Sequence, residues 1–211
     1  MLEEQTVSAF LDALASERST PGGGSAAAVA GAMGAALLGM VGNLTLGKKK
    51  YAGVQPRVKA ALRRTEALRH DLQTVVAADV AAFDRVMAAY ALPRGPGSER
   101  DKRAQELESA LHEATLVPMR CAELCVEVLE IAGEVAGIGN RNVLSDVGAG
   151  VACAHGALKT AALNVYINTA SMKDEAFAAA QLERLGDLLG RGNARYDAVY
   201  REVVEVLRGA G

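Results

Sequence analysis

The sequence predicts an all-α protein, a single domain of long antiparallel helices spanning residues 1–211. Three observations predict it. Half of the residues are hydrophobic, yet only 4% are aromatic and tryptophan is absent. The core is therefore built from Ala, Leu, Val and Met, and Ala and Leu are strong helix formers. Apolar residues recur every three or four positions through most of the chain, and no stretch alternates as a half-buried strand does. The breaks between these runs are short and marked by Gly and Pro, with no internal repeat and no linker that would divide the chain.

The elements follow in order. Glu3 to Ser16 is expected as an amphipathic helix with Val7, Phe10, Leu11 and Leu14 on one face. "STPGGG" ends it. Ser25 stands where an N-cap would, and a helix of small residues is expected to run to about Leu46. Along it Gly31, Ala35, Gly39 and Gly42 recur at helical spacing and would let a neighbouring backbone approach closely. This segment is uncharged and long enough to span a bilayer. Ala and Gly gain little from lipid, however, and Asn43 and Thr45 lie within it, so it is read as a central helix buried on all sides by protein.

"GKKKYAGVQP" makes a basic turn, and Pro56 opens a long helix over Val58 to about Leu92. "LPRGPGSERD" is a loop. Helix resumes from about Ser98 to Glu134, with a kink or break expected at Pro118. After "GIGNRN" comes a second helix rich in small residues, from Val143 to about Thr169. Lys173 to Leu189 and Asn193 to Leu207 are expected as two closing amphipathic helices.

The formal net charge of −2 excludes a whole-protein basic field for nucleic acid. The three cysteines are odd in number and form no disulfide framework, which fits a reducing cytoplasm. The acidic N-terminus lacks a signal-peptide pattern. Cys121 and Cys125 share a helical face with no histidine near them in sequence, so they are read as core and no metal site is expected. His70, His112 and His155 stand singly and receive no catalytic role.

Several stretches offer chemistry, each beside a plainer explanation. Gly22, Gly23 and Gly24 before a helix either cradle an anion on free N–H groups or form a flexible loop. "GNLTLGKKK" is no phosphate loop, because Lys49 replaces the final Ser/Thr and the run follows a helix. Lys48, Lys49 and Lys50 are either a solvated run or a dock for carboxylates or phosphates, and Tyr51 beside them either stacks on a flat ring or packs. Asp79 lies among apolar and small residues, on an exposed stripe or in a pocket where desolvation would raise its pKa and suit proton transfer. Asn140, Asn142, Ser145 and Asp146 gather at a helix start, where capping explains part of the pattern. Asn164 and Asn168, one turn apart, bind a ligand or bond a neighbouring helix.

Three blocks in order, "FLDALASERSTPGGGSAAAVAGAMGAALLGMVGNLTLGKKKY", "DVAAFDRVMAAYALP" and "GNRNVLSDVGAGVACAHGALKTAALNVYIN", resemble the formiminotetrahydrofolate cyclodeaminase/methenyltetrahydrofolate cyclohydrolase family from Phe10 to Asn168. The resemblance implies an all-helical cytoplasmic homodimer with a folate site near the subunit interface, no membrane and no nucleic-acid partner. It implies no tightly bound cofactor, the tetrahydrofolate derivative, with one or more glutamates, being the substrate. One branch turns 5-formimino- into 5,10-methenyl-tetrahydrofolate with release of ammonia; another interconverts 5,10-methenyl- and 10-formyl-tetrahydrofolate. The first leads here and the second is its alternative, with a non-catalytic folate- or anion-binding helical dimer as a reading of another class.

Carried over residue by residue, Gly22, Gly23, Gly24 and Ser25 match the glycine-rich loop, and Lys48, Lys49, Lys50 and Tyr51 the basic turn. Asp79 and Phe83 match the aspartate block, and Asn142, Ser145, Asp146, Asn164 and Asn168 the third block. Lysines suit the glutamyl tail and asparagines a pterin edge. Asp79 is the first expectation for proton transfer and Asp146 the second. Two departures are Ala77 and Ala78, where the family often has an acid, and Arg141, where it often has proline.

Overall fold

The computed structural model describes residues 6–209. No strand occurs among them. Helix α1 (Val7–Leu14) is capped by the Thr6 hydroxyl, which accepts from Ala9 N. The expected start at Glu3 lies outside the described residues.

Helix α2 (Gly23–Asn43) begins earlier than expected, with Gly22 as its N-cap and Ser25 inside the first turn. Ser25 does not cap the helix because its hydroxyl is directed to Asp79 instead. The expectation of burial on all sides fails as well. Ala27, Ala28, Ala35, Leu38 and Val41 are buried, but Met33 is 55% and Met40 39% exposed. The neighbouring helices cover one side of α2 only. α2 is long and apolar enough to cross a membrane, and 56% of its most apolar window is buried within the protein.

After a short 3-10 turn (Lys49–Val54), α3 runs Gln55–Ala91 with Pro56 in its first turn, where a missing N–H costs nothing. Helix α4 (Ser98–Ile138) continues through Pro118 without a break. Pro118 cannot donate to the carbonyl of Ala114 four residues before it. That carbonyl accepts from Asn168 Nδ2 at 2.6 Å instead. A side chain from the next helix thus repairs the ladder that the sequence alone says is broken.

Helix α5 (Leu144–Ala170) lies antiparallel to α2. Their closest approach is glycine on glycine. A Cβ added at Gly34 would stand 2.8 Å from the Gly150 carbonyl oxygen, and one at Gly150 3.1 Å from that of Gly34. The expected small-residue stripe contained neither. Helix α6 (Glu175–Leu207) is one helix, where two were expected. Gly192 does not end it, since a Cβ there would collide with Leu158, and close packing on α5 offsets the roughly 1 kcal/mol that glycine costs inside a helix.

The core sits among α2, α3, α4 and α5, with α6 laid outside α4 and α5, and includes Leu38, Leu72, Met119, Leu129, Leu158 and Leu185. Exposed ion pairs bind α3, α4 and α6, among them Arg120–Asp71, Arg64–Glu134 and Arg191–Glu130. The outer side of α2 and α5 is different. Besides the two methionines of α2, Leu163 and Ile167 of α5 are more than half exposed.

Candidate functional site

The first turn of α2 meets the middle of α3. Ser25 Oγ donates to Asp79 Oδ2 at 2.7 Å, and the Ser25 backbone N–H also bonds this carboxyl. Asp79 thereby serves the orphan donors of an N-terminus whose own cap is glycine. Gly24 must lack a side chain here, because a Cβ would strike Asp79 Oδ1. Burial raises the Asp79 pKa above the ordinary carboxylate value; the two bonds from Ser25 lower it, and burial prevails. A carboxyl held above its ordinary value in this way is better matched to taking and returning a proton than a free aspartate.

Asp79 lines a cavity of about 220 Å³ between α3, α4 and α5, with Phe83, Met87, Tyr90, Leu111, Asn164 and Asn168 also on its walls. Asn164 Nδ2 donates to Thr160 O at 3.0 Å, which leaves its amide oxygen without a partner among the described residues. A Cβ at Gly23 would stand 3.7 Å from Asn164 Nδ2, an ordinary contact, so the steric constraint of the loop falls on Gly24 rather than Gly23. Asn168 is engaged with Ala114, as described. The structure thus brings Gly23, Gly24, Ser25, Asp79, Asn164 and Asn168 together, with Gly22 as the cap beside them.

The remaining expected residues gather at the other end of α2. Lys48, Lys49 and Lys50 are exposed, and Lys50 Nζ lies 5.8 Å from the centroid of Tyr51. The Tyr51 hydroxyl accepts from Arg141 N at 3.1 Å and donates to Asn140 Oδ1 at 3.4 Å. Asn140 N donates to Thr45 Oγ1 at 2.8 Å, which fastens the basic turn to the loop before α5. Asn142 and Ser145 are exposed there and Asp146 is half-buried in the first turn of α5. Twenty-one residues of α2 put about 31 Å between the two groups. Within the single chain they do not form one site.

Tyr90, Leu111, Ile167 and Ser171 line the cavity without having been singled out in the sequence. A signal was there for the α3 wall: Phe83, Val86, Met87 and Tyr90 follow Asp79 at steps of four, seven, eight and eleven, one face of a helix. Cys121 and Cys125 are buried, and contact with Cys121 followed by burial pushes the Cys125 thiol well above its usual value, away from reactive thiolate. Among the described residues no group of three or more His, Cys, Asp or Glu side chains could hold a metal ion.

Residues 6–187 match the family model described as formiminotransferase-cyclodeaminase. The chain is 47% identical to a methenyltetrahydrofolate cyclohydrolase of Methylorubrum extorquens, covering 96% of this chain and 98% of that protein. It is 31% identical to the formimidoyltransferase-cyclodeaminase of Rattus norvegicus over 89% of this chain, and there spans 35% of the relative. The solved structure of a formiminotetrahydrofolate cyclodeaminase from Thermotoga maritima superposes with a TM-score of 0.90 at 30% identity, covering 98% of this chain and all of that one. With most of its length matched in sequence and nearly all of it in fold, the chain belongs to the formiminotransferase-cyclodeaminase family.

Proposed function

We propose that this protein is a folate one-carbon enzyme that interconverts 5,10-methenyl- and 10-formyl-tetrahydrofolate by hydrolysis. The observation that carries the choice is the near-full-length similarity to a protein named for that reaction. The sequence alone placed ammonia-releasing cyclisation first and hydrolysis second; this similarity reverses the preference. Cyclisation of the 5-formimino compound stays as the second reading, supported by the likeness to the Thermotoga cyclodeaminase.

Asp79 suits either reaction. In hydrolysis, water adds to the methenyl carbon while the Asp79 carboxylate takes one of its protons. The bond from that carbon to N5 then breaks, N5 receives the proton from Asp79, and the second proton of water leaves to solvent as the formyl C=O forms on N10. In cyclisation the same carboxylate takes the N10 proton as N10 attacks the carbon of the protonated formimino group. It returns that proton to the resulting amino group, which leaves as ammonia and gives the methenyl cation. Cavity walls that hold the reacting atoms together supply much of the rate in both cases. Asp146, at the far end of α2, is not at this centre within one subunit.

The protein is proposed to act in the cytoplasm as a homodimer. The apolar, nearly uncharged side of α2 and α5 supports a second copy seated on it, and one patch facing itself across a two-fold axis is the simplest closed assembly. Lys48, Lys49 and Lys50 can serve a ligand at Asp79 only from such a second copy, given their separation along α2.

The test is to incubate purified protein with methenyl-tetrahydrofolate in one cuvette and 5-formimino-tetrahydrofolate in another, following the near-ultraviolet band of the methenyl compound. Enzyme-dependent loss in the first is the expected result. Gain in the second alone, with ammonia, would transfer the assignment to the cyclodeaminase. Tight binding of either compound without turnover would favour the non-catalytic binder.

A further inference from the structure

A folate ends in carboxylates, and a cation stands just outside the cavity around Asp79, against Tyr90 where its α3 wall stops. We propose that Arg103 binds a carboxylate of the glutamyl tail, in the same subunit whose Asp79 faces the one-carbon bridge. The proposal rests on the folate reading above.

From Asp79 the wall climbs α3 through Phe83, Val86 and Met87 to Tyr90, about three turns or 16 Å. It is apolar until the Tyr90 hydroxyl. An aminobenzoyl ring lies between the reacting carbon and the carboxylates of a folate, and it needs walls of that kind with a cation beyond them. Arg103 stands on α4 where this wall ends. Its guanidinium carbon is 5.9 Å from the centroid of the Tyr90 ring, and its Nη2 donates to Tyr90 O at 3.3 Å.

That bond gives one nitrogen of Arg103 a structural duty, as a partner for a last-turn carbonyl of α3. It leaves the rest unexplained. Nε is buried without a partner, and no described carboxylate forms an ion pair with Arg103. Arg85, five residues before Tyr90 on α3, is by contrast committed to Glu113 and Ser109. A guanidinium already oriented by a carbonyl and an aromatic face loses little freedom on pairing with a carboxylate. The lysine turn offers three flexible ammonium groups, but it lies at the opposite end of α2, about 31 Å from the Asp79 end. Lys173 is exposed on the turn after α5 and is the comparison cation at the near end.

The experiment measures KM and kcat for the methenyl compound (or the formimino one, if that is the substrate turned over) and for its tetrahydropteroate analogue, which lacks glutamate. Wild-type protein is expected to show a KM about tenfold lower for the glutamyl substrate, the size of one charge-assisted bond. Arg103→Gln is expected to raise that KM about tenfold with kcat unchanged, to leave the analogue unaffected, and Arg103→Lys to restore part of the difference. Because each variant is compared with itself on two substrates, general loss of folded protein cannot imitate the result. The proposal is overturned if Arg103→Gln shifts both substrates equally or neither, if wild type does not distinguish them, or if the preference disappears in Lys173→Ala or in a Lys48, Lys49, Lys50 triple-alanine variant instead. Wild type that neither turns over nor binds any folate would show that the folate reading itself is wrong, before any variant is made.

Discussion

At Asp79 one carboxyl closes the first turn of α2 and faces the cavity. Asparagine there keeps an acceptor for the Ser25 hydroxyl but cannot exchange a proton, so Asp79→Asn should lower kcat by about 10²- to 10⁴-fold with a much smaller change in KM, read from the methenyl absorbance. The pH dependence has a definite sign. Because the folded pKa is raised, the stability tied to this group is fully present below its unfolded value and is lost as pH rises through the folded one. Activity that needs the ionised form falls off on the acid side, at a pH above the usual aspartate range, and Asp79→Asn should abolish that limb. A limb at the ordinary aspartate pKa would contradict the burial. The sequence left Asp79 between an exposed stripe and a pocket, because helical periodicity places it on a face and does not say what covers that face.

Among elements, α4 and α5 are joined by a repair. Asn168→Ala removes the only donor found for the Ala114 carbonyl among the described residues and should cost about 1–3 kcal/mol in denaturant unfolding. In a Pro118→Ala background, residue 118 regains its N–H and can serve that carbonyl, so the Asn168→Ala cost should shrink. Additive costs in this double-mutant cycle would show that the two residues are not linked. The same pairing explains what could be read from sequence. Helix type and most boundaries followed from three-and-four spacing, since that spacing is local. A break at Pro118 and a helix end before Asn193 did not occur, because the local penalties of Pro118 and Gly192 are met by distant partners, Asn168 and Leu158. The two asparagines were visible as candidates, but that Asn164 would bond within its own helix and Asn168 across to α4 depended on how α4 packs.

For the whole molecule, the division of surfaces matters most. Met33→Glu places a charge in the uncovered face of α2, 55% exposed in the single chain and thus harmless to its fold. Sedimentation should report a dimer for the wild type and a shift toward monomer for this variant, with helix content unchanged; a variant that stays dimeric would move the interface elsewhere. The expected site residues at the two ends of α2 were legible in the sequence as blocks, although Tyr90, Leu111, Ile167 and Ser171 of the cavity wall were not. Their separation into two groups was not, because a linear order of motifs does not reveal that a 21-residue helix lies between them.

The absence of charge along α2 also decides how the protein answers to salt. Rising ionic strength screens the exposed pairs that link α3, α4 and α6, such as Arg120 with Asp71, while an interface through α2 has no charges on that helix to screen. Sulfate, which is excluded from apolar surface, tightens such an association rather than loosening it. For the proposed dimer, a concentrated sulfate solution is therefore expected to weaken the exposed ion pairs while strengthening the association through α2.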